Sequence, residues 1–213
     1  MQPVSNSSKQ KSSVEESVPN SKKRVALYFG SFNPIHLAHQ KLAGYLVDNQ
    51  LVDEVWFVIS PCNPLKDQSE LLDEYIRLDM LIFAIREEPR FKACDVEFTM
   101  PIPSYSIDTL HVLSSHFPDC RFTLVIGSDN ALVFDQWKDH LLLLEQYPVL
   151  VYPRQGADFA EVAARYPQMQ LLHTDFYNIS STEIRNSIAQ KKDVSAWLHP
   201  SVLQFIEENN LYQ

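Results

Sequence analysis

Short, nearly unbroken apolar runs recur along this chain, each followed by a segment whose apolar residues fall at helical spacing. The clearest runs are 25–29, 55–59 and 121–126; weaker ones lie at 91–96, 148–152 and 170–173. A strand with one face in water alternates polar and apolar residues, whereas a strand covered on both faces does not need to. The segments between the runs predict helices over 36–49, 71–86, 107–117, 137–146, 158–165, 181–190 and 200–209. Over 36–49, Ala38, Leu42, Tyr45 and Leu46 form one face; over 71–86, Leu71, Tyr75, Leu78, Ile82 and Ile85 do so. Buried strands alternating with amphipathic helices specify a doubly wound α/β fold, a parallel sheet with helices on both faces. Ligands of such sheets bind beyond the carboxyl ends of the strands, so the strand-to-helix loops are where chemistry is expected.

Composition narrows the classes further. With 213 residues, 45% hydrophobic and 21% charged, the chain can build a real core without disulfides. Residues 1–22 are polar, with too few apolar side chains to repay ordering; they are expected to form a flexible tail before one domain over 23–213. Eighteen basic against 27 acidic residues, net −9, is the wrong balance for tracking nucleic acid, though not for small anionic ligands. No apolar run is long enough to span a membrane. Three widely spaced cysteines without a CxxC point to reduced thiols in a cytoplasmic compartment. No signal for an oligomeric state is present.

Four loops stand out. Gly30-Ser-Phe-Asn-Pro34 joins the first strand to the first helix. It is either an ordinary tight turn or a loop that lets an anion approach backbone N–H groups and a helix N-terminus. His36 and His39 follow at i, i+3 in the first helical turn. They suit a cap, a core position or a pair of donors to phosphate oxygens; no further His or Cys nearby completes a zinc site. Asp129, in Ile126-Gly-Ser-Asp-Asn130, is a helix cap or an acceptor for ribose hydroxyls. Trp137, close behind, fills core or stacks on a planar ring. Finally Ile179-Ser-Ser-Thr-Glu-Ile-Arg185 contains an S-x-x-E capping signal, and its three hydroxyls and Arg185 are enough for a second anion cradle.

Together, Gly30-Ser-Phe-Asn-Pro-Ile-His-Leu-Ala-His39 and Ile179-Ser-Ser-Thr-Glu-Ile-Arg185 resemble the paired signatures of the HxGH nucleotidyltransferase superfamily. With Pro103-Ser-Tyr-Ser-Ile-Asp-Thr-Leu110, Ile126-Gly-Ser-Asp-Asn130 and Trp137 between them, the ordered set looks like the bacterial nicotinate-nucleotide adenylyltransferase family, from about Arg24 to Tyr212. The resemblance implies a Rossmann-like single domain that joins ATP to nicotinate mononucleotide in NAD biosynthesis, with Mg²⁺ accompanying ATP. It implies that the backbone of Gly30, Ser31 and Phe32 meets the phosphates. His36 and His39 would bind them and stabilise the transition state, with Arg185 and Ser181 on the triphosphate and Asp129 at the adenosine ribose. Lys66, Tyr105, Ser106, Trp137 and Lys138 are implied for the mononucleotide: Trp137 on the pyridine ring, Tyr105, Ser106 and the Lys138 N–H at its carboxylate. No resident metal site, nucleic acid or membrane partner is implied. Three positions depart from the family pattern: Ala38 replaces the HxGH glycine, Leu65 replaces a loop histidine so that Lys66 becomes the donor there, and Lys138 replaces a tyrosine. The alternatives are transfer to another phosphorylated acceptor, such as nicotinamide mononucleotide or phosphopantetheine, a cytidylyltransferase, and a non-catalytic nucleotide sensor.

Overall fold

The structure, a computed structural model, describes residues 22–61, 70–174 and 179–213. The tail expected over 1–22 lies, apart from Lys22, outside the described residues, and so does Lys66. Six strands form one sheet: β1 (Lys23–Gly30), β2 (Glu54–Ile59), β3 (Phe91–Cys94), β4 (Cys120–Gly127), β5 (Val149–Tyr152) and β6 (Gln170–Leu171). Their order is β3-β2-β1-β4-β5-β6, and every neighbouring pair is parallel. The helices are α1 (Leu37–Asp48), α2 (Glu74–Ile85), α3 (Ser106–His116), α4 (Ser128–Leu132), α5 (His140–Gln146), α6 (Phe159–Arg165), α7 (Ser181–Ala189) and α8 (Pro200–Glu208). The short α4, within the stretch expected to be loop, is the one helix among these that the periodicity did not predict. Among the described residues, no helix is long and apolar enough to cross a membrane.

The strands read as continuous apolar runs because each divides its side chains between two cores. Ala26 and Tyr28 of β1 pack on one side of the sheet, with Val55 and Phe57 of β2 and with Leu42, Met80, Ile184 and Val202 from helices α1, α2, α7 and α8. Val25 and Leu27 pack on the other, with Trp56 and Val58 and with Leu110, Ala131, Leu143 and Val162 from α3, α4, α5 and α6. Successive residues of a strand point to opposite faces, so a sheet with two cores needs apolar residues at every position. Leu27 and Phe57 are completely buried; truncating either to Ala would cost on the order of 2–5 kcal/mol. The strand order reverses between β1 and β4, which places their carboxyl ends, and the loops that leave them, on either side of one crevice.

Candidate active site

At the end of β1, Gly30 has no room for a side chain. A Cβ there would stand 2.8 Å from the ring of Phe32, which folds back over it. Phe32 is held at a φ of +46°, in the left-handed region, at a cost of about 1–3 kcal/mol. Burial offsets that cost: its ring is 2% exposed and meets Tyr28, Phe57 and His39 edge-on. With the Phe32 side chain turned inward, Gly30 and Ser31 are left lining the crevice.

His36 is the N-cap of α1 and is almost completely buried. Its backbone N–H donates to His39 Nδ1 at 3.2 Å, and the two rings stack with centroids 3.7 Å apart. Because His39 Nδ1 accepts, the proton of a neutral His39 ring sits on Nε2. Burial, with the nearby Arg154 cation adding to it, holds the His36 pKa down to about 3. His36 is therefore a neutral ring at physiological pH and offers an N–H dipole, not a charge.

Helix α7 brings the second cradle against the first. Ser180 caps it, accepting from the Glu183 N–H at 3.1 Å as the S-x-x-E spacing predicts. Ser181 Oγ donates to the Pro34 carbonyl at 3.0 Å. Arg185 Nη1 donates to the Asn33 carbonyl at 3.0 Å, and Nη2 pairs with Glu70 at 2.8 Å. Arg185 Nε and His36 Nδ1 are buried without a partner among the described residues. Buried polar atoms are nearly always satisfied, and both of these residues line the same chamber. These groups, with Asp129 and Arg154, surround a chamber of about 420 Å³.

A second chamber, of about 350 Å³, lies against the first and is lined by Glu97, Tyr105, Ser106, Trp137 and Lys138. Tyr28, Gly30, Ser31, Asn130 and Tyr152 border both. Trp137 packs its ring on Phe134 and leaves Nε1 buried and unpartnered among the described residues. Ser106 opens α3. The Lys138 side chain pairs with Asp108 at 2.8 Å and lies over the Tyr105 ring at 5.1 Å.

Asp129 is not the cap of its helix; Gly127 is. Asp129 instead lines the larger chamber, 3.8 Å from Arg154 Nε. A Cβ on Gly127 would collide with the side chains of both, at 2.3 and 2.7 Å. Glycine there is what lets acid and base approach the strand end.

The structure places Gly30, Ser31, His36, His39, Asp129, Ser181 and Arg185 on the larger chamber and Tyr105, Ser106, Trp137 and Lys138 on the smaller; sequence reasoning missed Arg154, Glu70 and Glu97 there, and Tyr212 behind the first loop. Arg154 lies two residues beyond the end of β5, so the strand-end rule alone could have found it. Glu97, buried, accepts from Ser104 and Thr109 at 2.7 and 2.8 Å and braces the segment before α3. Tyr212 Oη donates to Asn33 Oδ1 at 2.7 Å from the far end of the chain, a pairing with no local sequence signal.

The cytidylyltransferase-like family profile matches residues 27–187. The chain is 42% identical over 190 residues to the probable nicotinate-nucleotide adenylyltransferase of Bacteroides thetaiotaomicron, covering 89% of this chain and 93% of that one. It is 36% identical over 191 residues to the protein of the same name from Flavobacterium psychrophilum, covering 89% and 99%. Among solved structures, a Plasmodium falciparum nicotinic acid mononucleotide adenylyltransferase complexed with NaAD superimposes with a TM-score of 0.75 at 22% identity, covering 89% and 97% of the two chains.

Proposed function

We infer that this chain, which belongs to the cytidylyltransferase-like family, transfers the adenylyl group of ATP to nicotinate mononucleotide, releasing pyrophosphate and forming nicotinate adenine dinucleotide for NAD biosynthesis. One observation carries the reading: two chambers of nucleotide size meet at Gly30 and Ser31, so two phosphorylated ligands would bring their phosphates to one wall. ATP takes the larger chamber, with its phosphates toward His36, His39, Ser181 and Arg185 and its ribose toward Asp129. The mononucleotide takes the other, with its ring on Trp137 and its carboxylate by Tyr105, Ser106 and the Lys138 N–H. Lys66 is assigned to the mononucleotide on the resemblance alone.

The chemistry follows from the charges. A mononucleotide phosphate is already an anion at neutral pH, so its oxygen attacks the α-phosphorus without a general base. As the new P–O bond forms, the bond from the α-phosphorus to the bridging oxygen breaks, and pyrophosphate leaves with that electron pair. The protein's part is to hold attacking and leaving groups in line and to place N–H donors where charge gathers. His36 does this as a neutral donor, and Arg185 does it as a cation. Mg²⁺ accompanying the triphosphate would neutralise charge on its oxygens. Such an ion prefers phosphate and water ligands over protein cages. Cys94 and Cys120 are both free thiols, which supports a cytoplasmic setting.

The test is pyrophosphate release from ATP with a panel of acceptors: nicotinate mononucleotide, its amide counterpart and phosphopantetheine. Donors arranged around a carboxylate leave one unpaired when an amide is bound, which predicts a kcat/KM preference of about 10- to 100-fold for the acid. Equal or reversed values would overturn the acceptor assignment. Release with phosphopantetheine alone, or none with any acceptor, would overturn the reading.

A further inference from the structure

The largest fully buried side chain in the described residues is a cation. Arg77, in α2, has no exposed surface and no ion-pair partner among the described residues. Its guanidinium is held by four backbone carbonyls. Nε donates to Leu72 at 2.9 Å, Nη1 to Ser31 at 2.7 Å and Ser60 at 2.9 Å, and Nη2 to Pro61 at 3.2 Å. Burying a guanidinium without a counter-ion is costly, and an apolar residue of similar volume would pack the helix more cheaply. Packing alone therefore does not account for it.

Two of those carbonyls belong to the site. Ser31 follows β1 and borders both chambers; Ser60 follows β2 and borders the smaller one. Arg77 itself borders neither, so it grips these loops from behind. In a planar trans peptide the C=O and the next N–H point in opposite directions. With the Ser31 carbonyl drawn toward Arg77, which borders neither chamber, the Phe32 N–H points to the opposite side of the loop, and Phe32 borders the larger chamber. The alternative is a flip of the Ser31–Phe32 peptide. That flip would take Phe32 out of its left-handed φ of +46° and relieve its strain. It would also aim a carbonyl, not an N–H, at incoming phosphates. The observed orientation is the one Phe32 disfavours, and the 2.7 Å bond from Arg77 opposes the flip.

We propose that Arg77 is a positioning residue for nucleotidyl transfer, locking the Ser31–Phe32 peptide so that its N–H, rather than its carbonyl, faces the transferring phosphates. The proposal rests on the reaction inferred above and says nothing of which acceptor is used.

The test compares the wild-type protein with Arg77→Met, Arg77→Lys and Leu81→Ala. Leu81 is completely buried in the same helix and is absent from both chamber walls, so it supplies a loss of stability without a change in the loop. Melting temperature, steady-state kinetics and calorimetric binding of inorganic pyrophosphate are measured for each. Arg77→Met is expected to lower kcat by about 10²-fold through misplacement of the phosphate donors. Pyrophosphate should bind about tenfold more weakly when one charge-assisted N–H contact is lost. Arg77→Lys, which keeps the charge but cannot reach all four carbonyls, falls between. Leu81→Ala should keep wild-type kcat and pyrophosphate affinity despite a lower melting temperature. Wild-type kcat and affinity in Arg77→Met, or equal losses in Leu81→Ala, would overturn the proposal. If Arg77→Met does not fold, Arg77→Lys against Leu81→Ala decides by the same criteria. A wild-type protein with no transferase activity would defeat the proposed reaction, while pyrophosphate binding would still judge Arg77.

Discussion

The depressed pKa of His36 makes a quantitative claim about stability. Burial, with Arg154 adding to it, takes this ring from an ordinary 6.5 down to about 3. As pH falls, the unfolded chain therefore binds this proton first. The contribution of His36 is fully present above about pH 6.5 and is lost as pH falls toward 3. Integrating between those two values gives about 2 kcal/mol lost between pH 7 and pH 5. For a chain of this size that is roughly 4–8 °C in melting temperature. At 2% exposure the ring is too buried for solvent to screen the effect much. His36→Asn removes the titration while keeping a polar side chain. Urea unfolding of both proteins at pH 7.0 and 5.0, at matched ionic strength, isolates the term, because the remaining groups cancel in the double difference. The wild type should lose about 2 kcal/mol more than the variant over that interval. Parallel pH dependences would refute the argument, and so would a His36 ring-carbon NMR titration centred near 6.5. The functional corollary is that no ionisation of His36 should shape the rate above pH 5.

Other consequences are simpler to test. His39→Ala should lower turnover by about 10²–10³-fold, since one preorganised donor is lost, with circular dichroism unchanged; near-normal turnover in the folded variant would remove His39 from the machinery. Glu70 pairs with Arg185 at 2.8 Å on the wall of the larger chamber and is two-thirds exposed. Glu70→Gln should free Arg185 and lower KM for ATP by up to about fivefold, the scale of an exposed ion pair; an unchanged KM would mean the pair does not compete with ATP. Tyr212→Phe strands Asn33 Oδ1 beneath the β1 loop, so thermal melts should show destabilisation of about 1–2 kcal/mol, and an unaltered melt would show the bond to be dispensable.

Much of this architecture is local in origin, which is why the chain shows it directly. Strands buried on both faces read as unbroken apolar runs, and all six runs are strands in the sheet. The loops after β1 and β4 are where the strand-end rule directs attention, the α7 segment shows its own capping signal, and the segment before α3 is implied by the family resemblance. Short-range signals also held: His36 and His39 share the first turn of α1, and Ser180 caps α7. Where the reading went astray, long-range contacts were stronger than periodicity. Tyr75 and Ile82, expected on one face of α2 with Leu78, stand 62% and 45% exposed, while Arg77, Met80, Leu81 and Ala84 face inward. That rotates the buried face by about one residue's turn, roughly 100°, and centres it on an arginine. Hydrophobic spacing could not foresee this, because three of the four carbonyls that hold Arg77 lie 16 and more residues away at Pro61, Ser60 and Ser31.

What the amino-acid sequence determined by itself, then, is the succession of elements, the positions of the strand-end loops and the polar residue types those loops present. Periodicity, turn residues and caps act over a few positions, and their energies are set locally. Only the tertiary structure decided that β1 and β4 stand side by side, and that Arg185, Glu70 and Tyr212 converge on Asn33 from three distant segments. The protonation state of His36 belongs to the same class. Its ring is neutral because the packed fold excludes water around it and brings Arg154 near, and neither burial nor a charge 118 positions away is a property of the sequence neighbourhood.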